Sequence, residues 1–226
     1  MIPLRDAVPP KSFPVVNWLI IIANLAVFIF EWRMSEPQLE AFFNQYGLVP
    51  SNIMSAVFGD PSAFRLGVLS TFTSNIFIHG NFWHLIGNMW FLYIFGDNVE
   101  DKMGKLNYLL FYLLAGIIAG MTHFVLHIHS QVPAIGASGA ISGVMAAYMF
   151  LFPHSKIITL IPIFIILPLF VTIRAFVFIG IWFVIQIVNG TSHLLFQGAA
   201  TGIAFWAHIG GFVSGMLLFR LFVRKK

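Results

Sequence analysis

Six apolar runs, each close to the length that crosses a bilayer, constrain this chain more than any other feature. The hydrocarbon core is about 30 Å thick, and about 20 helical residues cross it. The runs predict helices over about 15–32, 79–97, 105–128, 138–152, 175–189 and 200–222. The stretch 156–189 is too long for one span and holds Pro162, Pro168 and Arg174, so 156–174 is expected to be an interfacial piece. The expected fold is all-α: one membrane domain over 1–226, a six-helix bundle with a long, partly interfacial first loop. Composition agrees. Only 9% of the residues are charged and the mean hydropathy is +0.89; a soluble domain carries about 25% charged residues.

The run 15–30 follows Arg5 and Lys11, as a signal peptide would, but leads into Glu31-Trp32-Arg33-Met34 rather than a small-x-small cleavage site. It is therefore expected to be a retained helix. With the N-terminus inside, ten Lys and Arg fall on inner segments and two, Arg33 and Arg65, on outer ones. That bias predicts cytoplasmic termini, and it accounts for the +4 charge without nucleic acid. The chain has no cysteine, so disulfides, a thiolate metal site and a cysteine nucleophile are excluded. The first loop, 33–75 with Trp32 at its head, carries Phe42, Phe43, Tyr46, Phe58, Phe64 and Phe72. Such aromatics suit either a water–lipid boundary or an ordinary folded loop.

A polar group inside a span is costly unless paired or wet, and is a functional candidate by default. Gly136-Ala137-Ser138-Gly139 opens the fourth helix. At about 15 residues that helix reaches only roughly 22 Å, less than the roughly 30 Å core. Pro153-His154-Ser155-Lys156 fixes its inner end, so Ser138 would lie below the outer surface, beside a water-filled hollow. Free N–H groups at the helix N-terminus favour a developing anion there. Alternatively, Ser138 merely caps the helix. Ala207-His208-Ile209-Gly210-Gly211 places an imidazole in the sixth helix at similar depth. Gly211 and Gly215 would face Gly139 and Gly143, letting the two helices approach until His208 reaches Ser138. A neutral His can then take the hydroxyl proton; the bland alternative is a His bonded to a helix carbonyl. His84 and Asn88, four apart, share a face of the second helix, and both can donate to an oxyanion. All Asp and Glu lie at or before Asp101, which disfavours a Ser-His-Asp triad.

Taken together, His79-Gly80-Asn81-Phe82-Trp83-His84-Leu85-Ile86-Gly87-Asn88, Gly136-Ala137-Ser138-Gly139 and Ala207-His208-Ile209-Gly210-Gly211 resemble the rhomboid family of intramembrane serine proteases, in its minimal six-helix prokaryotic form. The resemblance implies Ser138 as nucleophile and His208 as general base. It implies an oxyanion site of the Ser138 backbone N–H with the His84 and Asn88 side chains. His79 would support the first loop or the pocket, with Gly136, Gly139 and Gly211 in structural support. Substrates would be single-pass membrane proteins entering sideways between helices 2 and 5. Phe176, Phe178, Trp182 and Phe183 would form a movable gate, or simply face lipid. No cofactor or metal is implied, and the oligomeric state is left open. A prokaryotic inner membrane is the expected location.

Two departures stand out. Where many relatives carry Trp-Arg in the first loop, this chain offers Phe64-Arg65. Where some carry a Tyr four residues after the nucleophile, stacked on the histidine, it has Ser142, so another residue must hold His208. Rival readings are a catalytically silent relative that binds membrane proteins, and a metal transporter using His123, His127 and His129. No carboxylate accompanies those histidines, and no H-E-x-x-H occurs.

Overall fold

The computed structural model describes residues 1–59, 66–164, 167–196 and 203–224. A strand, β1 (Ile2–Asp6), precedes helix α1 (Val15–Glu31). The first loop holds three short helices, α2 (Glu36–Tyr46), α3 (Pro50–Phe58) and α4 (Leu66–Ser74), then a 3-10 turn over Asn75–Phe77. Next come α5 (Phe82–Met103), α6 (Lys105–Leu126) and α7 (Ser138–Leu151). Strands β2 (Lys156–Phe164) and β3 (Leu167–Arg174) lead into α8 (Ala175–Phe196), and α9 (Phe205–Phe222) closes the described chain. The sixth expected helix was to begin at 200; residues 200–202 lie outside the described residues.

Among the described residues, three helices are long and apolar enough to cross a membrane: α6, the 175–192 part of α8, and α9. Helices α1 and α7 are apolar but shorter. The core forms where α5, α6, α7 and α9 meet, around Phe95, Tyr108, Phe111, Tyr112, Tyr148 and Phe212, all buried.

The described chain is mostly helical, as expected, and carries one small sheet that the expectation did not include. The segment 156–174 forms a β-hairpin, with β1 added along its other edge in the antiparallel order β1-β2-β3. Its physical cause is composition: Ile157, Ile158, Thr159, Ile161, Val171, Thr172 and Ile173 are β-branched and fit a pleated surface. Pro162 and Pro168 pair opposite each other near the hairpin tip, away from the body of the ladder. Side chains tie the sheet to the helices. The Trp90 indole donates to the Pro3 carbonyl at 2.6 Å, and the Tyr148 hydroxyl donates to Asp6 at 2.5 Å.

Buried polar groups fasten α1 to α5. The Glu100 carboxylate accepts from the backbone N–H of Val16 at 3.1 Å and of Asn17 at 2.8 Å. Those are orphan donors at the first turn of α1, and a negative charge there also suits the helix dipole. The Asn17 amide donates to the Leu92 carbonyl at 3.1 Å and accepts from the Tyr108 hydroxyl at 2.7 Å.

Candidate active site

Ser138 is the first residue of α7, and the backbone before it is shaped for that place. Gly136 has φ +124°, a conformation that favours glycine, and its N–H donates to the Asn75 carbonyl at 2.9 Å. A Cβ on Gly136 would also lie 2.7 Å from the His84 ring and 3.6 Å from the Asn88 amide nitrogen. The glycine thus lets His84 and Asn88 lean on the chain two residues ahead of the hydroxyl. With 14 residues, α7 is short for a span. At 1.5 Å per residue it reaches roughly 21 Å.

Glycines bring α9 against α7. A Cβ on Gly211 would sit 2.0 Å from the Gly139 carbonyl oxygen, and one on Gly215 would sit 2.3 Å from that of Gly143. Only hydrogen at those positions permits this separation. The approach leaves His208 Nε2 2.7 Å from Ser138 Oγ, a short hydrogen bond. Ser138, His208, His84 and Asn88 all line one cavity of about 470 Å³, with Met145 and Trp182 among its apolar walls.

Sequence reasoning did not name the side chain on the other imidazole nitrogen. His208 Nδ1 lies 2.8 Å from Gln186 Oε1, on α8. Gln186 is buried, on a stripe with Ala175, Phe178, Ile179 and Gly190. The sequence carries the signal in part: the expected span 175–189 holds two amides, Gln186 and Asn189, and of these only Gln186 is buried. Ser142 does not reach the imidazole; its hydroxyl donates to the Ser138 carbonyl at 2.6 Å. The Trp182 ring lies beside His208, with centroids 5.9 Å apart and planes inclined at 34°.

On the facing helix, Asn81 caps α5 by accepting from the His84 N–H at 2.9 Å, which sets His84 in the first turn. The Asn88 amide nitrogen lies 2.9 Å from His79 Nε2. Burial, aided by the neighbouring His84, pushes the His79 imidazole, in the loop ahead of α5, down to about 3. Its backbone N–H donates to the Glu31 carboxylate at 3.3 Å. His79 therefore backs Asn88 from outside the cavity.

Of the four aromatics expected as a gate, Phe176 is exposed, Trp182 and Phe183 are half-buried, and Phe178 is core. His123 and His127 stack with centroids 4.5 Å apart, and His127 Nδ1 meets the His123 carbonyl at 3.1 Å. Among the described residues no three metal-ligating side chains gather in one cluster. Phe64 and Arg65 lie outside the described residues.

Residues 66–225 match the rhomboid domain family. Rhomboid protein 1, mitochondrial, of Saccharomyces cerevisiae is 29% identical over 164 residues, 69% of this chain and 43% of that protein. RHOMBOID-like protein 12, mitochondrial, of Arabidopsis thaliana is 29% identical over 156 residues, 61% of this chain and 42% of the relative. The human presenilin-associated rhomboid-like protein, mitochondrial, is 32% identical over 148 residues, 64% of this chain and 35% of the relative. The chain therefore spans less than half the length of these curated relatives. Their mitochondrial names lend no support to the prokaryotic inner membrane expected from the sequence.

Proposed function

Since the chain belongs to the rhomboid family, and is an integral membrane protein, we propose that it is a serine endopeptidase that cleaves other membrane proteins in or near a spanning segment. One observation carries the reading: the 2.7 Å contact between Ser138 Oγ and His208 Nε2, on the wall of a cavity shared with two oxyanion donors. Helices α1, α5, α6, α7, α8 and α9 are the six spans, both termini are cytoplasmic, and the cavity opens to the outer side. Single-pass substrates enter from the lipid between α5 and α8.

The chemistry follows from the groups present. Ser138 Oγ attacks the scissile carbonyl carbon as its proton passes to His208 Nε2. The carbonyl oxygen becomes an oxyanion, and it accepts from the Ser138 backbone N–H and the side chains of His84 and Asn88. Collapse breaks the C–N bond, and His208 gives its proton to the leaving amine. Water, deprotonated by His208, then adds to the acyl carbon, the C–Oγ bond breaks, and His208 returns the proton to Ser138 Oγ. No cofactor takes part. His79 holds Asn88 in place, and Gly136, Gly139 and Gly211 hold the backbones close enough for the dyad to form.

The test is cleavage of a transmembrane substrate by purified protein in vesicles, alongside labelling by a fluorophosphonate. Ser138→Ala and His208→Ala are each expected to lower kcat by about 10⁴-fold or more, and Ser138→Ala to abolish labelling. Equal cleavage by wild type and Ser138→Ala would overturn the mechanism. Labelling failure together with no cleavage of any of several substrates by wild type would favour a binding role instead.

A further inference from the structure

A neutral imidazole can take a proton from Ser138 only if its Nε2 is bare, which requires the ring proton on Nδ1. In a Ser-His-Asp triad a carboxylate enforces that tautomer. Here every Asp and Glu lies at or before Asp101, none of them on α6, α7, α8 or α9. Gln186 stands in that place. Its Oε1 lies 2.8 Å from His208 Nδ1, and its Nε2 lies 3.3 Å from the Trp182 carbonyl oxygen. The second contact fixes the first. A carbonyl oxygen only accepts, so the NH2 must face Trp182 and the amide oxygen must face the imidazole. An amide oxygen likewise only accepts, so Nδ1 must donate. Turning the amide over would set two oxygens against each other at Trp182 and push the ring proton to Nε2, where it blocks the base.

We propose that Gln186 is the positioning residue of the dyad: its amide oxygen holds the His208 ring in the Nδ1–H tautomer and aims Nε2 at Ser138. The proposal rests on the reading of Ser138 and His208 as nucleophile and base. A neutral amide suits this site. Gln186 is only 7% exposed, among apolar side chains, where an ionised carboxylate would be costly to bury. Gln186 therefore supplies orientation without charge. Its partner Trp182 sits one helical turn earlier on the same face, so the amide is aligned by α8 alone before it meets α9.

Full-length Gln186→Met keeps the length of the side chain and removes the acceptor. In vesicles, kcat for a transmembrane substrate is expected to fall about 10- to 100-fold, the range for losing one orienting hydrogen bond, with KM held within about twofold. Fluorophosphonate labelling of Ser138 is expected to slow by the same factor, since that small probe needs no substrate docking. Gln186→Glu, whose carboxyl, held neutral at this buried position, can donate its O–H to the Trp182 carbonyl and accept from Nδ1, is expected to recover kcat to within about threefold of wild type. Wild-type kcat and labelling in Gln186→Met would overturn the proposal, as would a raised KM with unchanged kcat, which would make Gln186 a helix-docking residue. Should Gln186→Met fail to fold, nitrogen-15 NMR of the wild-type His208 ring decides: a proton on Nδ1 supports the proposal and one on Nε2 overturns it. A fully active Ser138→Ala protein is a different failure, one that removes the underlying serine mechanism.

Discussion

Helix α9 meets α7 and α8 in two physically different ways. Against α7 the contact is backbone to backbone, with Gly211 and Gly215 pressed on the carbonyls of Gly139 and Gly143. Every residue of α7 from Gly139 to Met149 is buried. Against α8 the contact is made by a few side chains. Phe183 stacks on Phe212 with centroids 4.0 Å apart, the Trp206 indole donates to the Gly190 carbonyl at 3.2 Å, and Gln186 meets His208. From 181 to 190, only Gln186 and Gly190 of α8 are buried. The separation of Ser138 and His208 is thus set by an interface with no slack. The rotation of the imidazole is set by α8 through those few side chains. Interiors packed to contact resist adjustment, while sparsely held elements open at low free-energy cost.

Overfilling the tight interface gives the largest expected effect. In Gly211→Val the new Cβ would start 2.0 Å from the Gly139 oxygen, a backbone atom with no rotamer by which to move away. The helices must separate, at a cost of about 3 kcal/mol or more. Proteolysis and Ser138 labelling should both disappear, and unfolding in detergent should shift to far lower denaturant. A variant with wild-type stability would show that the α7–α9 contact is as loose as that of α8.

This interface was legible before any coordinates, because two glycines four apart on one apolar run match two on another. Ser138 stood out for a related reason: the fourth apolar run is too short to cross a bilayer, which singles out its polar first residue. The sheet did not. An apolar stretch such as 156–174 has no periodicity that separates strand from buried or interfacial helix. Its partner β1 is also some 150 residues away in the chain, beyond any local signal. Gln186 gives a fainter signal, because Phe176, Phe178, Trp182 and Phe183 dominate the same apolar run. One buried amide among them determines more about His208 than they do.

Next in size is Phe183→Ala, which removes the stack on Phe212. Phe183 is half-buried, so its loss is expected to cost about 2 kcal/mol, less than a full core phenylalanine. Its mark should be a fall in kcat, because α8 then holds Gln186 less firmly against His208. A stability loss with unchanged kcat would mean that α8 stays docked by Gln186 and Trp206 alone.

Glu100→Ala separates stability from activity. It uncaps α1 by leaving the Val16 and Asn17 N–H groups without their acceptor, far along α5 from Asn88 and His84. The expected loss is about 1–2 kcal/mol, read as a lower unfolding midpoint. The kcat of the folded fraction should stay within about twofold of wild type, since a cost that does not reach the cavity should not reach the barrier. A matching fall in kcat would show that α1 transmits to the site, for example through Glu31 and the His79 backbone.

The smallest expected effect carries the opposite sign. Gly180 lies in α8, and a Cβ built there meets nothing within 4 Å, in contrast to the 2.0 Å clash at Gly211. Gly180→Ala should therefore raise stability by about 0.5–1 kcal/mol, since alanine loses less backbone entropy in a helix and meets no neighbour. Proteolysis is the sharper readout. If α8 is held as sparsely as its exposure implies, stiffening it at Gly180 should leave labelling of Ser138 by a small probe unchanged. Cleavage of a bulky transmembrane substrate should slow, because only the large substrate needs α8 to yield. An equal change in both rates would place the effect at the dyad and erase the distinction between the two sides of α9.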